Sequence, residues 1–71
     1  MPVIEVHLAK GRNATEKRAL LAAITSAVHE SIGAPLPSIR VWINEVDPAE
    51  FMAGGETLAE RRTGQPVPVN D

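Results

Sequence analysis

The sequence predicts an α/β fold: a single βαβ unit with parallel strands plus a short C-terminal hairpin, completed by oligomerisation. Three observations carry that expectation. Two short runs, "VIEVHLA" and "SIRVWINEV", alternate their residues with period two, the mark of half-buried strands. Between them lies a stretch whose apolar residues recur at helical spacing, with a start and a stop signal at its ends. After the second run, Gly54-Gly55 suits a tight hairpin turn.

The elements follow in order. In residues 3–9, Ile4, Val6 and Leu8 alternate with Val3, Glu5 and His7, giving one strongly apolar face. "KGRN" is a turn. Asn13 can cap a helix, and Glu16 three residues later completes a variant of the capping box. From Ala14 to Ile32 the positions Leu20, Leu21, Ile24, Ala27, Val28, Ser31 and Ile32 form a helical stripe, with Ser31 its weak member. Lys17, Arg18 and Glu30 lie largely off it. Gly33 is placed as the C′ residue, and Pro35 and Pro37 prevent continuation.

Residues 38–46 form the second strand, where Ile39, Val41 and Ile43 alternate with Arg40, Trp42 and Asn44. Strand, helix and strand make the two strands parallel, joined by a right-handed crossover. "DPAEFMAGGE" is rich in turn residues, and "TLAERR" has no definite assignment. The remaining "TGQPVPVND" reads as a loose Pro-rich tail. One domain is expected over residues 1–62, with the tail at 63–71, and there are no repeats.

Size argues for self-association. A chain of 71 residues buries only about 60% of the surface its unfolded form exposes, which leaves it marginal alone. It has no cysteine, so disulfides and thiolate metal sites are excluded. With 44% apolar residues, oligomerisation is the remaining route. A helix on one side of a two-stranded sheet also leaves a face carrying His7, Arg40, Trp42 and Asn44 uncovered. Parallel sheets are normally buried on both faces, so other subunits are expected to cover it. The net charge of −2 gives no basic footprint for nucleic acid. No apolar stretch has the ~18–20 residues of a membrane span, and no signal-like apolar segment follows the start. A cytoplasmic oligomer is the expectation.

Most chemistry-bearing residues have a plain reading. Glu5 and His7 share a strand face, and a polar pair at a subunit contact outweighs a metal site. His29 fits a surface or interface position. Gly54-Gly55 lacks the pattern of a phosphate loop. Asn13-Ala14-Thr15 matches a glycosylation sequon without a secretory context, and Arg61-Arg62 fits a solvated charge pair.

Pro2, Arg12, Arg40 and Phe51 remain. If Met1 is removed, the Pro2 nitrogen becomes a free secondary amine. Terminal amines titrate near ~7.7–8.0, a secondary amine higher. Burial and nearby guanidinium groups both lower such a value, towards what general acid–base catalysis requires. Arginine forks clamp carboxylates through planar paired donors that stay charged. A base beside two arginines points to proton transfer on a small dicarboxylate or keto acid, and an aromatic such as Phe51 would help exclude water.

In order and spacing these residues resemble the 4-oxalocrotonate tautomerase family. The matching pieces are Pro2, "GR" at Gly11-Arg12, "APLPSIRV" at 34–41, Glu45, Phe51 and "GGE" at 54–56, and the resemblance spans about residues 2–62. It implies βαβ chains assembled as homohexamers, trimers of dimers, with the N-terminal proline exposed by methionine removal. It implies Pro2 as general base and Arg12 as the arginine on the distal carboxylate. Arg40 is similar to the arginine donated by a neighbouring subunit to the 2-oxo end. Ser38 and the backbone of Ala9 match supporting substrate contacts, and Phe51 the apolar wall around the proline. The implied reaction converts 2-hydroxymuconate to 2-oxo-3-hexenedioate, or shifts a proton on a related enol, without metal or organic cofactor.

The chain departs from the family's pattern at Met52-Ala53, where a Gly and an apolar residue are usual, and in its longer tail. Superfamily dehalogenases place an acidic residue where Ala53 stands and an extra arginine where Ala9 stands. Decarboxylation or dehalogenation is thus the lesser enzymatic alternative, and a non-catalytic oligomeric scaffold the other.

Overall fold

A pair of parallel strands, β1 (Val3–Ala9) and β2 (Arg40–Val46), forms the centre of the protein, with the long helix α1 (Ala14–Ile32) crossing between them. A computed structural model describes residues 1–63. After β2, a 3-10 turn (Pro48–Glu50) leads into a two-residue antiparallel ladder, β3 (Met52–Ala53) with β4 (Glu56–Thr57), and then helix α2 (Leu58–Thr63). The expected α/β architecture, with its βαβ unit and C-terminal hairpin, is what the chain adopts. Gly54 and Gly55 close the hairpin with φ of 64° and 87°, a backbone that side chains with a Cβ rarely adopt.

Register fixes which residues share a face. Val3 pairs with Arg40, Glu5 with Trp42 and His7 with Asn44, and all six are exposed on the uncovered side. Ile4, Val6 and Leu8 pair with Val41, Ile43 and Glu45. The five apolar members of that row are half-buried, while Glu45 ends it with a 3.2 Å ion pair to Lys17 of α1. The helix therefore lies over the apolar row and is tied to its end by charge.

Local signals set the limits of α1. Asn13 accepts a 2.8 Å hydrogen bond from the Glu16 amide, and the Asn13 amide donates to Glu16 Oε1 at 3.1 Å, a complete capping box. At the other end Gly33 takes the left-handed conformation, φ 72°, and its amide donates to the His29 carbonyl. His29 Nδ1 donates to the Ala34 carbonyl at 2.7 Å, which ties the loop to the last turn.

Leu20, Leu21, Ile24 and Val28 of the expected stripe are half-buried, whereas Ala27, Ser31 and Ile32 are exposed. Length explains the last two. Nineteen helical residues span about 28 Å and seven strand residues about 23 Å, so the final turn overhangs the sheet. β2 begins at Arg40, two residues later than its sequence pattern suggested. The amides of Ser38 and Ile39 are used instead in a 3-10 turn, donating to Pro35 and Leu36 carbonyls.

Among the described residues only Ile39 is buried. Trp42 is 44% exposed and Val3 52% exposed on the uncovered face. A single chain thus keeps little of its apolar surface from water. No helix among the described residues is long and apolar enough to cross a membrane.

"TLAERR" resolves into a second capping box. The Thr57 amide donates to Glu60 Oε1 at 2.8 Å, and the Glu60 amide donates to Thr57 Oγ1 at 3.1 Å. The T-x-x-E spacing was legible and marks the helix start. Helix α2 ends at Thr63, and the rest of the expected tail lies outside the described residues.

Hydrogen bonds from Thr57, its backbone amide foremost, hold the Glu60 carboxyl below the usual carboxylate range. Because the folded value lies below the unfolded one, this contribution is complete above the unfolded range. It fades as pH falls through the folded value. Protection factors of the α2 amides, each referred to its intrinsic exchange rate at the same pH, should accordingly fall on acidification, while Glu60→Gln should largely lose that pH dependence. Thr57→Ala should weaken the cap by about 1 kcal/mol near neutral pH.

Candidate active site

The predicted site residues fall into two groups at opposite ends of the sheet. At the end where both strands begin, the Arg40 amide donates to the Pro2 carbonyl at 3.0 Å. Ser38, in the turn before β2, donates its hydroxyl to the Pro35 carbonyl at 2.7 Å. Arg40 extends over the uncovered side of the sheet, and its Nη1 donates to the Pro37 carbonyl at 2.6 Å. Pro2, Ser38 and Arg40 therefore form one group, anchored by backbone pairing and by a turn made stiff by Pro35 and Pro37.

Met1 precedes Pro2 in the sequence, so its nitrogen is an amide while Met1 remains and a basic amine once it is removed. Position two lies on the half-buried row with Ile4 and Val6. Both Pro2 and Arg40 are held here by rigid backbone, as a site demanding fixed geometry requires.

At the far end, where the strands finish, the second group gathers. The Lys10 amide donates to the Val46 carbonyl at 2.9 Å, extending the ladder one step beyond β1. Gly11, at φ 137°, then turns the chain so that Arg12 stands beside the helix start. Arg12 lies on the rim of a 290 Å³ cleft lined by Leu8, Glu16, Lys17 and Leu20. Its Nη1 is 3.6 Å from Glu16 Oε2, and its side chain is 63% exposed. A pair so open contributes less than about 1 kcal/mol, which leaves the guanidinium available to another carboxylate.

Phe51 belongs to the same end. With His7, Leu8, Ala9, Val46 and Leu58 it lines an apolar recess of 140 Å³. The Leu58 amide donates to the Phe51 carbonyl at 2.8 Å, which fixes the hairpin and α2 against this recess. Phe51 is half exposed, at 50%, and so presents an aromatic face outwards. Sequence reasoning named Ala9 and Phe51 but missed Leu8, Val46 and Leu58 as the recess walls. Their positions at strand ends and at the start of α2 were the available signal.

One chain does not bring the two groups together. Seven β1 residues separate Pro2 from the turn bearing Arg12, about 23 Å of extended chain. A substrate of six carbons could not touch both.

Glu5 joins residues on the uncovered face. Its Oε2 accepts from Trp42 Nε1 at 3.3 Å and from Asn44 Nδ2, and its Oε1 lies 3.8 Å from His7 Nε2. Every partner is a strand neighbour, so the cluster orders this face. Among the described residues no three His, Cys, Asp or Glu side chains gather in a way that could hold a metal ion.

Comparison with known proteins identifies the family of this fold. Residues 2–61 match the family described as Tautomerase enzyme. A 2-hydroxymuconate tautomerase of Pseudomonas putida is 37% identical over 62 residues, covering 87% of this chain and 98% of that protein. TomN, described as a 4-oxalocrotonate tautomerase homologue in the tomaymycin biosynthetic pathway, has a crystal structure that superposes with a TM-score of 0.84. It is 42% identical, over 87% of this chain and 95% of that one. A heterohexamer 4-oxalocrotonate tautomerase from Chloroflexus aurantiacus superposes with a TM-score of 0.81 at 30% identity, over 84% and 97%. The chain belongs to the 4-oxalocrotonate tautomerase family and is, like its named relatives, an isomerase.

Proposed function

We propose that this protein catalyses keto–enol proton transfer on a small dienol or 2-oxo acid, with 2-hydroxymuconate the leading substrate. The observation that carries the reading is the division of the site residues between the two ends of one sheet. Pro2, Ser38 and Arg40 stand at one end and Ala9, Arg12 and Phe51 at the other. A base without a distal clamp, and a clamp without a base, each lack half of what a dicarboxylate needs. Copies of the chain packed together supply both.

In this mechanism Met1 is removed and the Pro2 nitrogen takes the hydroxyl proton from the dienol. The same nitrogen returns a proton at carbon, giving 2-oxo-3-hexenedioate from 2-hydroxymuconate. Arg12 of a neighbouring copy binds the distal carboxylate and draws electron density towards it. Arg40, on the uncovered face that another copy would meet, holds the carboxylate and developing oxyanion at the 2-oxo end. Ser38 and the Ala9 backbone position the substrate. Phe51 and its recess keep water from the amine, which favours its neutral form. The chemistry asks for no metal or organic cofactor.

Assembly into a homohexamer, a trimer of dimers, accompanies this reading. The exposed Val3 and Trp42 on the open sheet face and the nearly absent buried core support association. The Chloroflexus aurantiacus relative is a heterohexamer, which supports six-chain assembly within the family. A cytoplasmic setting accords with a chain that has no cysteine.

An ultraviolet assay of 2-hydroxymuconate ketonisation tests the base. Wild type whose intact mass lacks Met1 should turn the substrate over, and Pro2→Ala should lose about 10²-fold or more. Material that keeps Met1 yet retains full activity would sink the role given to Pro2. Arg12→Ala and Arg40→Ala should each cost about tenfold or more in kcat/KM, the scale of a lost charged hydrogen bond, with assembly size unchanged. Normal rates in either variant would show the clamp to be misassigned.

A further inference from the structure

Glu16 does two things at once. Its Oε1 accepts from the Asn13 amide in the capping box, and its Oε2 lies 3.6 Å from Arg12 Nη1. One carboxylate therefore both starts the helix and sits against the cation that the proposed mechanism assigns to the distal carboxylate. The rest of the cleft is charge-matched. Lys17, the other cation lining it, is paired with Glu45 at 3.2 Å, and its side chain is only 29% exposed. Arg12 and Lys17 together are balanced by Glu16 and Glu45.

From this arrangement we infer that Glu16 is a specificity-determining residue, which tempers Arg12 and limits the enzyme's preference for substrates with a distal carboxylate. The inference rests on the assignment of Arg12 to that carboxylate. A substrate carboxylate arriving at Arg12 competes with Glu16 for the guanidinium and meets a like charge beside it. A substrate with no distal carboxylate meets neither effect. Glu16 thus weakens binding of dicarboxylates selectively and leaves monocarboxylate enols untouched. Because the Arg12–Glu16 pair is loose and exposed, the effect is a trimming of preference and not a block.

The two roles of Glu16 separate cleanly. Gln serves as well as Glu at this position of a capping box, so Glu16→Gln keeps the helix start while removing the charge. The test measures kcat and KM for 2-hydroxymuconate and for 2-hydroxy-2,4-pentadienoate, the same dienol without its distal carboxylate. Wild type, Glu16→Gln and Arg12→Ala are compared. Glu16→Gln should lower KM for the dicarboxylate about 1.5- to twofold, the scale of an exposed ion pair, and leave the monocarboxylate unchanged. Arg12→Ala should raise KM for the dicarboxylate more than for the monocarboxylate.

An unchanged or raised dicarboxylate KM in Glu16→Gln, or equal shifts for both substrates, overturns the inference. If Arg12→Ala still raises the dicarboxylate KM in that case, the proposed function stands and only the role of Glu16 fails. If Arg12→Ala leaves that KM unchanged, the Arg12 assignment falls, and the Glu16 inference with it.

Discussion

The length of β1 governs the rest of this structure. Seven extended residues hold Pro2 and Arg12 about 23 Å apart, and neither end can bend to meet the other. Pairing with β2 along its whole length makes the strand a rigid spacer. A proton-transfer site that uses both residues can be completed only between chains. In the proposed mechanism, catalytic geometry is a property of the assembly, and each chain contributes the two ends of different sites.

The same economy shapes stability. With only Ile39 buried among the described residues, the chain holds its form through the ladder, the two capping boxes and the Lys17–Glu45 pair. These fix local shape without excluding much water. Hydrophobic stabilisation scales with apolar area removed from water, and Val3, Trp42, Ile32 and Leu36 leave much of that area exposed in one chain. Covering them with other copies of the chain would add the apolar burial that one chain lacks.

Much of this was legible in the sequence. The alternation in β1 and β2, Asn13 with Glu16, and Gly33 before Pro35 each carry a local physical rule, and each predicted element lies where its rule placed it. The exceptions have local causes too. The strand rule could not see that Ser38 and Ile39 would donate to a 3-10 turn, nor could the stripe show that α1 outruns the sheet. The T-x-x-E box of α2 was readable and passed over. For the site, Pro2, Arg12, Arg40 and Phe51 were identifiable by chemistry and spacing. Their separation along β1 follows from its length, but the placing of Arg40 beside Pro2 was not legible, because it depends on strand register, which emerges only when the elements pair. The contact of Glu16 with Arg12 depends on the turn at Gly11 that sets Arg12 beside the helix start, and its meaning appears only beside the cleft that both residues line.

The central claim is that Pro2 of one chain works with Arg12 of another, and subunit mixing tests it most directly. Pro2→Ala and Arg12→Ala chains, each strongly impaired alone, are unfolded together, refolded as mixed assemblies and assayed for ketonisation. If sites form between chains, random mixing should restore about a quarter of them to full activity, since Pro2 from one variant can meet Arg12 from the other. Mixed assemblies no more active than the average of their parents would contradict the account, because they would place both residues of every site on a single chain.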